Sequence, residues 1–140
     1  MVALVRPESW NLPLFLHVLG AGVLVGAVGA TVVIAIRAPA MRRLLARTLG
    51  FLVLPAWLLM RVAGQWIDSR EDIPGDPAWL GVGFLVGDAG LVLLVITALI
   101  AWWGVRRPER RWPVRAVAVI SGFYLIALFV AMWAMTAKPD

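Results

Sequence analysis

Three ionisable side chains lie inside the long apolar runs of this sequence: His17, Arg61 and Asp88. On insertion scales, a charged residue at the centre of a membrane helix costs about 2.5–3.5 kcal/mol, so each one calls for a partner or a function. Counting a rise of about 1.5 Å per residue from the nearest span end places them at depths of about 8, 9 and 13 Å, in the same half of the membrane. We therefore predict an Arg61–Asp88 ion pair with His17 nearby.

Residues at helical spacing extend this polar cluster. Trp57, Arg61 and Gln65 recur every fourth residue and so share one helix face, where the Trp57 ring can cover the guanidinium. Tyr124, near mid-depth in the fourth apolar run of the sequence, also needs a hydrogen-bond partner for its hydroxyl group. We predict an outward-facing polar pocket built from His17, Trp57, Arg61, Gln65, Asp88 and Tyr124. The alternative, that the ion pair only fixes which helices pack together, stays open here.

Methionines at matching depth suggest a second chemistry. His17 could be joined as a ligand by Met60, Met132 or Met135. His/Met ligation occurs in haem proteins, and thioether sulfur suits Cu(I), so a haem b or copper site is an alternative to simple core filling by methionine. The chain has no cysteine and one histidine, which excludes thiolate metal sites and would require a second subunit for a bis-histidine haem.

The composition requires a membrane around these residues. Of 140 residues, 62% are hydrophobic and 15% are charged, whereas a soluble domain is about half apolar and a quarter charged. This excludes a soluble enzyme domain, a disordered chain and a nucleic-acid-binding module. A membrane helix needs about 20 apolar residues, and four runs are that long: about 12–36, 44–67, 79–104 and 113–135. We expect the first run to be a retained span because it exceeds the apolar core of a signal peptide.

The predicted fold is one all-α domain over residues 1–140, an up-down bundle of four transmembrane helices in a lipid bilayer. Its short connections leave no scaffold for a catalytic site outside the membrane, so we expect no enzyme activity.

Arginines cluster around two connections: Arg37, Arg42, Arg43 and Arg47, then Arg106, Arg107, Arg110, Arg111 and Arg115. The connection between the second and third spans is acidic, with Asp68, Glu71, Asp72 and Asp76. The positive-inside rule then predicts a multi-pass protein of a bacterial cytoplasmic membrane with both termini outside.

Glycine-rich segments in the first and third spans are alike. Residues 19–29 read LGAGVLVGAVG and residues 80–90 read LGVGFLVGDAG, which indicates a possible duplicated helical hairpin. Each segment carries a stripe of glycines: Gly22, Gly26 and Gly29 in the first, and Gly83, Gly87 and Gly90 in the second. Such stripes let helices approach closely, which predicts either packing within the bundle or an interface with a second copy or another membrane protein.

Several short motifs resemble those of a known group. They are LFLHVLGA at 14–21 followed by Val25-Gly26, RVAGQWI at 61–67 and AMWAMTAKP at 131–139. These segments resemble uncharacterised small bacterial integral membrane proteins of actinobacterial type, distantly similar to the CopD-type copper-resistance membrane domain. The resemblance implies a four-helix membrane fold, with His17 as the residue that could bind copper or haem.

Three functional hypotheses follow from the sequence. The first is a small non-enzymatic membrane protein whose outward-facing polar site binds a small ligand, an ion or a partner. The second is a haem- or copper-binding membrane protein that uses His17. The third is a purely structural or assembly subunit that uses the glycine stripes.

Overall fold

Four helical spans follow one another along the chain. The computed structural model describes the backbone of residues 8–69 and 78–137 and the side chains of residues 12–69, 78 and 80–137. The elements are α1 (Glu8–Arg37), α2 (Arg42–Thr48), a π-helical segment (Leu49–Val53), α3 (Leu54–Asp68), α4 (Ala78–Arg106) and α5 (Trp112–Ala137). Each span, with α2 to α3 counted as one, is long and apolar enough to cross a membrane. The predicted all-α four-helix bundle is confirmed. Most of the predicted acidic connection, residues 70–77, lies outside the described residues.

The spans are arranged as a ring. α1 packs against the second span and against α5, and α5 packs in turn against α4. The ring closes where α2 and the π-helical segment contact α4, whereas α3 and α4 approach each other at fewer places. We call the end that carries the turns at 38–41 and 107–111 the basic end. The other half of the bundle, formed by residues 12–25, 54–68, 80–91 and 124–137, is called the terminal half.

The second span accommodates a proline in its middle. The sequence predicts that Pro55 kinks this span, because a proline has no N–H and its ring collides with the preceding turn. In the structure the backbone widens just before Pro55: Leu54 N–H bonds to the Leu49 carbonyl, five residues back. Pro55 then occupies the first turn of α3, directly after this wider turn, where its ring meets less backbone than in a regular α-helix. The π-helical segment therefore resolves the conflict within one continuous span.

Apolar side chains fill the bundle and also cover its outside. Leu24, Leu49 and Val53 are completely or almost completely buried between the spans. Large apolar side chains are nevertheless exposed around the perimeter, among them Phe51 and Val119. An apolar perimeter of this extent is expected of a chain that faces lipid rather than water.

The two glycine stripes have different surroundings. On α4, a Cβ at Gly83 would collide with Met135, and one at Gly90 would collide with the Tyr124 ring. On α1, nothing lies within 4 Å of a Cβ placed at Gly22, Gly26 or Gly29. Gly83 and Gly90 of the α4 stripe therefore lie against α5, whereas the α1 stripe has open space beside it and faces away from the other spans. The two similar segments do not occupy equivalent positions.

Gly90→Ala tests the packing of the α4 stripe. We expect it to lower the free energy of unfolding in detergent micelles by about 1–3 kcal/mol, because the added methyl group displaces the buried Tyr124 ring. Gly22→Ala is the matched control and should leave stability unchanged or raise it by up to about 1 kcal/mol through helix propensity. Equal effects of the two substitutions would contradict this packing.

Candidate functional site

The Arg61 side chain is the centre of a polar network between α3 and α4. Its Nε donates to Asp88 Oδ1 at 2.8 Å, so the predicted ion pair is present. Its Nη1 donates to Gln65 Oε1 at 2.8 Å, one turn further along α3. The guanidinium carbon lies 5.0 Å from the centre of the Phe84 ring, within the range of a cation–π contact. One arginine thus binds a carboxylate, an amide and an aromatic face.

Trp57 has a different role from the predicted one. Its ring was expected to cover the Arg61 guanidinium, but Phe84 of α4 occupies that position. Trp57 is buried, and its indole Nε1 donates to the Gly87 carbonyl at 2.8 Å. A carbonyl oxygen has two lone pairs, so it can accept this bond in addition to a helical one. Trp57 therefore forms a second link between α3 and α4.

His17 is held by the backbone of α3. Its Nδ1 lies 2.8 Å from the Met60 carbonyl oxygen, which can only accept a hydrogen bond. In the neutral imidazole, Nδ1 therefore carries the proton and Nε2 carries the lone pair. Two glycines permit this close approach: a Cβ at Gly64 would lie 3.1 Å from His17 Nδ1, and one at Gly20 would lie 2.6 Å from the Met60 amide nitrogen. The sequence-based expectation that His17 lies near a polar cluster did not include this bond.

A cavity of about 290 Å³ lies in the terminal half, between α1, α3, α4 and α5. Its ionisable lining residues are His17, Arg61 and Asp68. The methionines at positions 60, 132 and 135 also line it, and the rest of the lining is aliphatic, aromatic or glycine. The cavity is therefore mainly apolar, with a small polar part where α1 and α3 meet.

The structure separates the predicted site residues into two groups. His17 and Arg61 line the cavity, as do Met60, Met132 and Met135. Asp88, Gln65, Trp57 and Tyr124 do not. The Asp88 side chain is 60% exposed, and Gln65 is also exposed, so this part of the network lies on the surface beside the cavity. The α4 residues that line the cavity are Leu80, Gly83, Phe84, Val86 and Gly87 rather than Asp88.

Tyr124 lies in the bundle core. Its side chain is 1% exposed and packs against Gly90 of α4. Its hydroxyl and that of Ser121 have no hydrogen-bond partner within the part of the chain that the structure describes. The partner that the sequence led us to expect for Tyr124 is not found among those residues.

Among the lining residues that the reasoning from sequence missed, Phe84 and Asp68 are the aromatic and the charged one. Phe84 precedes Asp88 by four residues, so helical spacing could have placed it on the same face of α4 and beside Arg61. Asp68 follows Arg61 by seven residues, two turns along α3, and therefore faces the same side. The hydrogen bond between His17 and a backbone carbonyl could not be predicted, because every residue has such a carbonyl.

A double-mutant cycle on Arg61 and Asp88 tests their coupling. Asp88→Leu or Arg61→Leu alone should lower the free energy of unfolding by about 1–3 kcal/mol, because each leaves one charge unpaired at membrane depth. The double variant should be more stable than the sum of the two single effects predicts, as measured by denaturant unfolding in micelles. Thr136→Val, at an exposed hydroxyl bonded only within its own helix, is the control. Strict additivity would mean that the ion pair contributes nothing.

Comparison with known proteins gives no relative from which a role could be transferred. No family model, no curated protein and no solved structure matches the chain. The resemblance to the copper-resistance membrane domain therefore remains a prediction based on short motifs.

Proposed function

We propose that this chain is a membrane protein whose terminal-half cavity binds a small ligand. The observation that supports this most directly is the cavity of about 290 Å³, which combines an apolar lining with the His17 imidazole and the Arg61 guanidinium. Sites for small molecules typically enclose about 300–1,000 Å³ and pair apolar walls with a few well-placed polar groups. A volume at the lower limit of that range favours a compact ligand.

The cavity would face the outside of a bacterial cytoplasmic membrane. The arginines at the basic end support this orientation through the positive-inside rule, with both termini on the opposite side. Binding, rather than catalysis, is the role that the side chains support. Among the described residues, Asp88 pairs with Arg61 and His17 bonds to a backbone carbonyl, so the two do not form an acid–base pair with each other.

Copper binding is the second candidate, favoured by one observation. His17 and three methionines line the same cavity, and imidazole with thioethers is a donor set suited to Cu(I). A metal-binding histidine commonly donates its other ring N–H to a carbonyl, as His17 does to Met60. If bound, the ion would make the protein a carrier of copper. Haem has less support than copper, because a tetrapyrrole needs more space than this cavity of about 290 Å³ provides.

A purely structural or assembly role has less support. Its best feature is the α1 glycine stripe, which contacts nothing else in the described part of the bundle and so is available to a second copy or another membrane protein. A structural role would not explain why the cavity of the terminal half lies beside His17. We therefore place ligand binding first.

Native mass spectrometry of protein purified from bacterial membranes tests the proposal. We expect a bound molecule on the parent protein that is lost in Ala21→Phe, because Ala21 lines the cavity and a phenyl ring fills it. Ala89→Phe, at an exposed position on α4, is the matched control and should retain the molecule. An organic mass supports a small-molecule ligand, and the mass of copper supports the second candidate. An identical spectrum for parent and Ala21→Phe would contradict both.

A further inference from the structure

The hydrogen bonding of His17 restricts what the cavity can bind. Because Nδ1 donates to the Met60 carbonyl, Nε2 can act only as an acceptor while the ring stays neutral. We propose that the ligand is a neutral amphiphile whose hydroxyl group donates to His17 Nε2 and whose hydrocarbon chain occupies the apolar part of the cavity. This inference rests on the proposed function and specifies its ligand class.

The charges around the polar part of the cavity favour a neutral head group. Arg61 is neutralised by Asp88, and Asp68 adds a further negative charge to the lining. A carboxylate head group would meet this negative charge and would offer no proton to His17. An ammonium head group would have to lose its hydration at membrane depth, which is costly. A hydroxyl group avoids both penalties and supplies the donor that Nε2 needs.

The apolar part of the cavity extends inward from His17. Along α1, the lining continues through Ala21 to Val25, two turns or about 12 Å deeper than His17. Val86 of α4 and Leu128 of α5 complete this region. That depth and the apolar character of these side chains suit a medium-length alkyl chain. The polar and apolar parts thus match the two ends of an amphiphile.

The surrounding lipid offers such a molecule a direct route. α3 and α4 approach each other at few places, and the Arg61–Asp88 ion pair bridges the two helices. The Arg61 side chain is 24% exposed and lines the cavity, whereas Asp88 is 60% exposed. The ion pair therefore lies between the cavity and the surface of the bundle. An amphiphile in the bilayer can reach the polar part of the cavity beside this pair.

Photolabelling with decan-1-ol that carries a diazirine at the end of its chain tests the inference. In the purified protein, peptide mass spectrometry should locate the label on apolar lining residues such as Val25, Val86 and Leu128. Excess decan-1-ol should reduce this labelling at least fivefold. Decane, decanoate and decylamine, which share the chain length but lack a neutral hydroxyl group, should compete much less.

His17→Asn is the most informative variant. The asparagine amide can still donate to the Met60 carbonyl from the position of Nδ1, but it places no acceptor at the position of Nε2. We expect labelling of the cavity to fall at least fivefold, the change that the loss of one hydrogen bond produces. Leu58→Ala, at an exposed position on α3, should be labelled like the parent. Competition on the parent protein tests the same inference without any variant.

The outcomes that would overturn the inference are distinct. Equal competition by decane and decan-1-ol, or stronger competition by decanoate or decylamine, would refute the hydroxyl donor and leave ligand binding in the cavity intact. Protection by Cu(I) without protection by decan-1-ol would assign the cavity to the metal. Label confined to lipid-facing residues such as Leu58 and Val119 would refute this inference, whereas the native mass spectra of the parent and Ala21→Phe decide the proposed function.

Discussion

Polar groups inside a bilayer must find partners within the protein, and this constraint organises the terminal half of the bundle. Three contacts meet it, and all of them involve α3: His17 Nδ1 to the Met60 carbonyl, Trp57 to the Gly87 carbonyl, and Arg61 to Asp88. The first ties α3 to α1, and the other two tie it to α4. α3 is therefore held on both sides by hydrogen bonds rather than by apolar packing alone. The cavity lies in the space that these links enclose.

Glycines decide where the helices can come close and where they leave space. At Gly20 and Gly64, the absence of a side chain lets α1 and α3 approach so closely that a Cβ would collide with the facing residue. At Gly87, which has no side chain, the α4 side of the cavity stays open, whereas Met135 fills the space beside Gly83. In the basic half, leucine and valine fill the corresponding space, as Leu49 and Val53 show. One residue type thus produces both the tight α1–α3 contact and the open volume beside it.

Much of the architecture could be predicted from the sequence, because membrane spans follow from hydropathy over long runs. The predicted limits of the four spans agree with the structure to within a few residues. The Arg61–Asp88 pair followed from counting depth in the membrane, because two opposite charges in the same half of the bilayer have few other partners. The aromatic partner of Arg61 was assigned wrongly. Helical spacing shows which residues share a face of one helix, but not which face of the neighbouring helix lies opposite. For the same reason the sequence did not distinguish the α1 glycine stripe, which faces outward, from the α4 stripe.

The interior of the terminal half was the hardest part to predict. The bond between His17 and Met60 uses a backbone carbonyl, which every residue has, so no residue type signals it. The cavity arises where small side chains from several helices coincide, and this depends on how the helices are rotated and tilted. The identity of the polar residues was visible in the sequence, whereas the apolar volume beside them was not. This volume is what adds a cavity to an ion pair and a partly buried histidine, and it is the basis of the proposed function.

Cysteine accessibility tests most directly whether the terminal half contains a cavity open to the outside. The chain has no native cysteine, so Val86→Cys in the cavity lining can be compared with Val117→Cys in the buried core. A membrane-impermeant methanethiosulfonate reagent, added from the outside, should modify the first variant and leave the second unmodified. Adding Ala21→Phe to the Val86→Cys variant should slow its modification. Equally slow modification of both cysteines, or modification of Val86→Cys only from the side of the basic end, would contradict the account.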